Sequence, residues 1–298
     1  MEKEYGFVII SGILSGLIVF GERFLFGLGL SLYQIVILTA LFTFLLLPLL
    51  IWKKELRPKR EMLPLFVAFG LIDAIAVLSE TISVILGTPV AVAVLLLYTQ
   101  PLWTIIISKT FMKEKIRRRK ILAATLVLPG IILLANPFEI TSAGNFYGII
   151  AALVGGVALS GYVIFGRIAG KRKYHPIATK IYFTVFALLF FAASYPLMAF
   201  LIKDPAITSF SLDLPASTWI YLAFFGTFGA ILPHVLYFMG ARKVPASTSG
   251  IVLLLEPVSA AILAALFLQQ PITLTIILGG AIILASNYLV ISKGGKEK

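Results

Sequence analysis

Four acidic residues lie inside long apolar stretches of the chain, where charged residues are rare. Asp73 and Glu80 are seven residues apart, which places them on one face of a helix and about 10 Å apart along its axis. Glu256 directly precedes Pro257, and Glu22 lies in the first apolar stretch. Ionisable groups are costly inside a membrane and usually face a cavity or a partner. These acids could therefore bind a cationic group, carry a proton, or pair with polar groups of neighbouring helices.

Two prolines mark a second feature of the candidate site. Tyr98 and Gln100 stand just before Pro101, in the place that Glu256 holds before Pro257. A proline inside a helix leaves a backbone carbonyl without its usual partner and bends the helix axis. We predict a polar chamber near the middle of the membrane, with the two prolines as gates; the alternative is that they are only kinks.

Trp103, His234 and Tyr237 complete the candidate site. Trp103 is too deep for the interfacial belt of aromatic residues, so it could line the chamber or only pack. His234 could titrate in a proton relay or be a hydrogen-bonded core residue, and Tyr237 lies in the same predicted span. The chain has no cysteine, no histidine-containing metal motif and no hydrolase or phosphate-loop motif. We therefore predict that the protein is not an enzyme and uses no metal or other cofactor.

The elements that position these residues are apolar runs. The chain has 298 residues, of which 60% are hydrophobic and 13% charged, and its mean hydropathy is +1.03. A soluble domain would have about 25% charged residues. The runs have the roughly 18–25 residues that a helix needs to cross a hydrocarbon core, where only helices leave no backbone group unpaired. The pattern predicts an all-α membrane protein of ten transmembrane helices, at 5–26, 31–52, 62–83, 89–109, 120–135, 146–168, 176–202, 217–241, 245–268 and 272–292.

The basic residues alternate from one connection to the next. Lysine and arginine concentrate after the second, fourth, sixth and eighth predicted spans and at the C-terminus, and Lys203 is an exception on the other side. Because cytoplasmic connections are enriched in lysine and arginine, we predict that both termini are cytoplasmic and that the protein lies in the cell membrane. The net charge of +12 is then explained by membrane topology, without nucleic acid as a partner.

An internal repeat relates the two parts of the chain. Pro89 and Pro245 are separated by 156 residues, and so are Pro101 and Pro257. The predicted halves are residues 1–138 and 139–298. Because five spans are an odd number, the two halves must have opposite orientations in the membrane. Such inverted repeats are a recurrent architecture of secondary transporters, which bind their substrates near the midplane between the repeats.

The segments around the two prolines resemble a known family. Residues 97–101 (LYTQP) followed by 113–116 (KEKI) are similar to the fourth-span signature of the EamA-like, ten-helix branch of the drug/metabolite transporter superfamily. Residues 254–257 (LLEP) followed by 269–272 (QQPI) resemble its second copy, although Gln270 replaces the acidic residue usual in that family. The resemblance covers essentially the whole chain.

The resemblance implies a central cavity lined by spans 1, 3, 4, 6, 8 and 9, with spans 5 and 10 peripheral and often dimer-forming. It also implies transport of amino acids, purines or other metabolites.

Phosphorylated substrates would require basic groups at the midplane, and the deep ionisable residues singled out above are mainly acids. We therefore expect a secondary-active or facilitative exporter of amino acids or related amphipathic or cationic compounds, working by alternating access. The alternatives are a non-transporting protein of the same fold, such as a receptor-like or assembly subunit, and a nucleotide-sugar or sugar-phosphate carrier. The expected partners are a small-molecule substrate, the lipid bilayer and a second copy bound through spans 5 and 10.

Overall fold

The computed structural model of the protein describes residues 3–53, 56–57, 59–134 and 146–291. These residues form helices joined by short connections, and no strand occurs among them. The boundary between the predicted halves, at residues 138 and 139, lies outside the described residues. So do Lys54 and the three lysines of the C-terminal tail after residue 291.

The α-helices of the described residues are numbered in chain order. They are α1 (Lys3–Gly27), α2 (Leu32–Leu41), α3 (Leu47–Trp52), α4 (Leu63–Ile85), α5 (Val90–Leu97), α6 (Gln100–Phe111), α7 (Arg118–Leu134), α8 (Phe146–Lys171), α9 (Pro176–Leu201), α10 (Pro205–Thr208), α11 (Ala216–Phe224), α12 (Leu232–Gly240), α13 (Ala246–Val252), α14 (Leu255–Leu268) and α15 (Leu274–Ile291). A 3₁₀ turn, Phe42–Leu46, joins α2 to α3, and a π-helical turn, Phe225–Gly229, joins α11 to α12.

Within the described residues, eight helical segments are long and apolar enough to cross a membrane. They are Lys3–Gly27, Arg60–Ile85, Val92–Phe111, Phe146–Lys171, Pro176–Leu201, Ala216–Gly240, Ala246–Leu268 and Leu274–Ile291. The second predicted span corresponds to a shorter apolar helix, Leu32–Leu46, and the fifth to α7, which has 17 residues. The predicted all-α membrane protein is confirmed, while the count of ten spans stays a prediction.

The helices that contain the paired prolines are interrupted beside them. α5 is followed by Tyr98, whose φ and ψ are −76° and 7°, and Pro101 is the second residue of α6. α14 begins after Leu254, whose φ and ψ are −70° and 4°, and Pro257 is its third residue. Tyr98 and Leu254 are also 156 residues apart, so the same backbone break occurs at equivalent places in the two parts of the chain.

The connections that follow these broken helices also match. Lys113, after α6, and Gln269, after α14, both have a φ of 53°, and they too are 156 residues apart. A left-handed residue after a helix reverses the chain direction and satisfies the last carbonyl groups of the helix. The next residue is Glu114 in the first connection and Gln270 in the second. The two connections therefore project these side chains from equivalent backbone positions.

Helices from the two parts of the chain pack against each other. α1 packs against α12 and α14, α4 against α8 and α9, and α7 against α15. An aromatic core lies where α4, α8, α9 and α12 meet, with the rings of Phe69 and Phe183 stacked at 4.6 Å. Because the two parts interlock in this way, polar side chains from both of them can reach one central space.

Gly70 allows the close approach of α4 and α9. A β-carbon at Gly70 would lie 2.6 Å from the backbone carbonyl carbon of Phe186, so the helices would have to separate. We expect Gly70→Ala to lower the free energy of unfolding by about 1–3 kcal/mol, the usual cost of overpacking, measured as a lower Tm of the purified protein. Gly6→Ala in α1 is the control, because a β-carbon there meets nothing within 4 Å and alanine favours the helix. Equal Tm values for the two variants would contradict this account.

Candidate functional site

A cavity of about 290 Å³ lies among α1, α2, α4, α8, α9, α12 and the broken helices α5–α6 and α13–α14. Among the described residues that line it, the charged side chains are those of Glu22, Asp73, Lys180 and Glu256. Tyr98, Gln100 and His234 line the same cavity. Six of the predicted site residues therefore line one cavity, along with Lys180, which was not predicted.

Three carboxyl groups gather at one side of this cavity. Glu22 of α1, Glu80 of α4 and Glu256 of α14 are close enough to interact electrostatically. The hydroxyl of Tyr98 donates a hydrogen bond of 3.2 Å to Oε1 of Glu256. Glu80 is not among the lining residues, and it interacts electrostatically with the two glutamates that are. Three neighbouring carboxyl groups in an apolar setting cannot all be ionised unless a cation lies between them. Such a cluster therefore favours binding of a cation or a proton.

Glu22 and Arg23 point to different partners. Glu22 lines the cavity, whereas Nη1 of Arg23 donates an exposed hydrogen bond of 3.3 Å to Oε1 of Gln270. Arg23 therefore ties the end of α1 to the connection between α14 and α15, and the carboxyl group of Glu22 remains available to the cavity.

Lys180 is the basic group of the cavity. Its side chain is 5% exposed, and it interacts electrostatically with Asp73 across the cavity. Its Nζ lies 4.7 Å from the ring centroid of Phe183. No direct ion pair joins Lys180 to Asp73 among the salt bridges of the described residues. The expectation of mainly acidic groups at this depth is therefore incomplete, because the cavity holds two opposite charges that face each other without touching.

The sequence pattern does not single out Lys180. This lysine is the fifth residue of the predicted span 176–202, next to a basic connection, where a lysine resembles an interfacial anchor. In the fold, the first turns of α9 are covered, and Ala178 and Ile181 are fully buried. A burial pattern that begins in the first turn can be known only once α4 and α8 have been placed.

His234 and Tyr237 have different surroundings, although both lie in α12. His234 lines the cavity, with its ring 5.5 Å from Tyr162 and 5.7 Å from Phe183. Tyr237 is 1% exposed and donates a hydrogen bond of 2.6 Å to the carbonyl of Val163. Tyr237 therefore holds α12 to α8 and is not one of the lining residues.

Gln100 and Trp103 also have different surroundings, although both lie in α6. Gln100 lines the cavity, and its Nε2 donates a hydrogen bond of 2.6 Å to Oγ1 of Thr104. Nε1 of Trp103 donates to Oγ1 of Thr99 at 3.1 Å, and Trp103 is not among the lining residues. The indole therefore supports the break between α5 and α6, where the chain makes a turn at Thr99.

Glu114 joins the two parts of the chain at the end of the molecule that carries the basic connections, called the basic end below. Its Oε1 accepts a hydrogen bond of 2.8 Å from the backbone N–H of Ala246, and its Oε2 accepts from both N–H and Oγ of Ser247 at 3.1 and 2.8 Å. Nε of Arg167 lies 3.9 Å from Oε1. Glu114 thus caps the first turn of α13 from the connection after α6. From the sequence this residue is known only as part of the family resemblance, because its hydrogen-bond partners Ala246 and Ser247 are more than 130 residues away.

The fold and the cavity define the class of protein: a multi-pass helical membrane protein with a polar chamber enclosed by both parts of the chain, as in a membrane transporter. The chain belongs to the EamA-like transporter family, which matches residues 3–136 and 146–292. This confirms the resemblance to the drug/metabolite transporter superfamily. The family indicates a membrane transporter rather than an enzyme.

Several proteins similar to this chain are described as transporters. Two proteins of Archaeoglobus fulgidus, each described as an uncharacterized transporter, are 27% identical to the chain, one over 279 residues and the other over 202. The longer match covers 93% of this chain and 92% of the relative, and the shorter covers 68% of each. The uncharacterized transporter YetK of Bacillus subtilis is 27% identical over 202 residues, which are 65% of this chain and 58% of that protein.

A solved crystal structure has the same fold. It superposes with a TM-score of 0.73 at 16% sequence identity, covering 98% of this chain and 99% of the other. At that identity the likeness concerns the fold alone.

Proposed function

We propose that the protein is a secondary-active or facilitative transporter that exports amino acids or related small amphipathic or cationic compounds by alternating access. The observation that carries this proposal is that Lys180, Asp73 and Glu256 line one cavity. An α-amino acid carries a carboxylate and an ammonium group a few ångströms apart. Lys180 would bind the carboxylate by a charge-assisted hydrogen bond, and Asp73 or Glu256 the ammonium group. Export is the direction that the family resemblance implies.

The size of the cavity supports a small substrate. Its volume of about 290 Å³ is at the lower end of small-molecule sites, which span roughly 300–1,000 Å³. A nucleotide sugar would need a larger space and more than one basic group for its phosphates. The excess of acids over bases in the lining favours a substrate with at least one ammonium group.

Alternating access requires two parts that can move against each other, and we propose that these are inverted repeats. The matched breaks before Pro101 and Pro257 support such a pair, with the half-helices beside these prolines as gates. We propose ten spans, with Leu32–Leu46 and α7 completing the eight longer ones. Both termini would then be cytoplasmic in the cell membrane, with halves at 1–138 and 139–298.

The remaining predicted residues have supporting roles in this proposal. Glu22 and Glu80 would share a proton or a cation with Glu256, and Tyr98 would orient the carboxyl group of Glu256. His234 would lie beside the substrate or a proton path. The apolar outer faces of α7 and α15, with exposed residues such as Leu122 and Leu284, would form the homodimer contact.

Substrate flux into liposomes tests the proposal. The purified protein would be reconstituted and offered three ligands that share one side chain: the zwitterionic amino acid, its decarboxylated amine and its N-acylated acid. We expect protein-dependent flux of the zwitterion, weaker flux of the amine and none of the N-acylated acid. Glu256→Gln and Asp73→Asn are each expected to lower zwitterion flux by about tenfold or more, because each removes a charged hydrogen-bond partner.

Asp213→Asn is the matched control. Asp213 is an exposed acid outside the cavity, so its loss of charge is expected to leave flux unchanged. Unaltered flux in both cavity variants would remove Asp73 and Glu256 from the mechanism. Ligand binding without flux in either direction across the liposome membrane would favour the alternative of a non-transporting protein with this fold.

A further inference from the structure

A second cavity lies at the basic end of the protein, outside the central one. It has a volume of about 780 Å³ and is formed by Lys59, Glu61, Met62, residues 172–175 and Arg242. These belong to three different connections: the one before α4, the one between α8 and α9, and the one after α12. Its lining contains Lys59, Arg172, Lys173 and Arg242 against a single carboxylate, that of Glu61. The positive charge of this crevice is therefore largely uncompensated among the described residues.

The two arginines of the crevice contact only neutral acceptors within the described part of the chain. Nη1 of Arg172 lies 3.3 Å from the sulfur of Met62, and Nη2 of Arg242 donates to the carbonyl of Tyr174 at 3.3 Å. The salt bridges of these residues include no carboxylate within 4.0 Å of either guanidinium. Because a guanidinium has five N–H donors in a planar fork, most of the donors of both arginines remain available to a ligand.

The walls of the crevice are preformed. Tyr174 is buried, and its hydroxyl donates a hydrogen bond of 3.1 Å to the carbonyl of Arg57. Burial raises the pKa of Tyr174 to about 12, so the hydroxyl keeps its proton at physiological pH. Tyr182 of α9 donates to the carbonyl of Leu56 at 3.2 Å. These bonds hold the connection before α4 against the start of α9, so the backbone segments that carry the basic side chains already lie together before a ligand binds.

The start of α9 adds to the positive potential. His175 is the N-cap of this 26-residue helix, and it belongs to the lining of the crevice. The N-terminus of a helix carries unpaired N–H groups and the positive end of the helix dipole, and it favours phosphate or carboxylate groups. Guanidinium groups beside such a terminus are well suited to a phosphate, which they bind with two parallel hydrogen bonds.

We propose that this crevice binds a phosphate group, from an anionic lipid headgroup or from a soluble phosphate-bearing molecule. Positive-inside topology explains why lysine and arginine lie in these connections, but it does not require them to converge on one preformed crevice. A phosphate bound there bridges connections of the first and second parts of the chain. Its binding therefore stabilises the arrangement in which these connections lie together, independently of the substrate of the central cavity.

Thermal stability of the purified full chain tests the site with two probes. The first is inorganic phosphate against chloride at equal ionic strength, with the protein in a lipid-free neutral detergent. The second is a nanodisc of phosphatidylglycerol against one of phosphatidylcholine. We expect a saturable rise in Tm with at least one probe, because a ligand that binds the native state stabilises it. A response to phosphate alone identifies a soluble ligand, and a response to phosphatidylglycerol alone identifies a lipid.

Two double variants distinguish binding in the crevice from a general attraction between the basic protein and an anionic probe. R172Q/R242Q is expected to weaken the response by about tenfold or more in half-saturating phosphate or lipid fraction. K109Q/R118Q removes the same charge from exposed positions outside the crevice and is expected to respond as the natural chain does. Failure of both probes to raise Tm would overturn the proposal, and so would equal loss in the two double variants. Since the test does not measure transport, its outcome is separate from that of the proposed function.

Discussion

Replacing Lys180 with methionine is expected to lower the flux of a zwitterionic amino acid by roughly 30–150-fold. The same change should leave the flux of the corresponding decarboxylated amine within about threefold. The physical reason is that a hydrogen bond to a charged group contributes about 2–3 kcal/mol, and only the zwitterion has a carboxylate for Lys180 to bind. Methionine keeps most of the apolar length of the side chain, so the contact with Phe183 is largely preserved. Flux of the two ligands through reconstituted liposomes measures the difference.

The partner of Lys180 provides the control for stability. Removing the lysine leaves Asp73 without the opposite charge that faces it, and unpaired buried charges are strongly destabilising. The double variant Asp73→Asn/Lys180→Met removes both charges and is expected to have a higher Tm than either single variant, although it should transport no zwitterion. Lys180→Arg keeps the charge and is expected to retain part of the flux. Equal losses for the zwitterion and the amine in Lys180→Met would contradict a role in binding the carboxylate.

The membrane helices could be predicted because hydrophobicity along the chain is a local property. The start of α9 at Pro176, for example, agrees with the predicted span 176–202, and α8 begins at Phe146, as predicted. The second and fifth predicted spans are not among the eight long apolar segments of the described residues, and the described part of α7 has 17 residues with Pro129 inside it. Whether such a helix crosses a membrane depends on its neighbours and its tilt, which hydropathy does not contain.

The cavity could be predicted in part for a related reason. An acid such as Asp73 or Glu256 in an apolar run can be recognised from the sequence as a candidate functional residue, because burying a lone charge is costly. Aromatic residues carry no such signal. The indole of Trp103 and the phenol of Tyr237 satisfy their polar atoms within helix contacts, and an apolar ring is equally suited to packing and to lining a cavity.

Lys180 and Glu114 show what a single sequence leaves out. Both lie at the edges of apolar runs, where charged residues are common, and their importance comes from distant partners. Lys180 faces Asp73 from another helix, and Glu114 binds the first turn of α13. Only the tertiary fold brings these groups together, so local patterns of charge and hydropathy cannot distinguish them from interfacial anchors.

The contacts of Glu114 join the two parts of the chain at the basic end. α13 begins after Pro245, which provides no side-chain cap, so its first N–H groups need another acceptor. The carboxylate of Glu114 supplies it, with Arg167 at 3.9 Å on the other side. At the equivalent position of the other connection, Gln270 accepts a longer, exposed hydrogen bond of 3.3 Å from Arg23. The two connections therefore make different contacts, and we propose that the charged contact of Glu114 keeps the basic end closed during transport.

Glu114→Gln is therefore expected to open the basic end. Glutamine keeps the shape of the side chain but loses its charge and one acceptor oxygen, at a cost of about 1.4 kcal/mol, which corresponds to roughly a tenfold shift between closed and open states. The chain has no cysteine, so a single Ser15→Cys reporter in the cavity can be labelled with a membrane-impermeant maleimide. We expect labelling from the basic side to become about tenfold faster in the Glu114→Gln background.

Two further variants decide whether this acceleration comes from the contact itself. Asp213→Asn makes the same kind of chemical change at an exposed position outside both cavities, and we expect the labelling rate to stay unchanged. Glu114→Asp retains the charge with a shorter reach, so its rate should fall between those of the natural chain and Glu114→Gln. If Glu114→Gln labels no faster than Asp213→Asn, the contact is only a helix cap, and closure of the basic end must depend on the packing of α13 against α6.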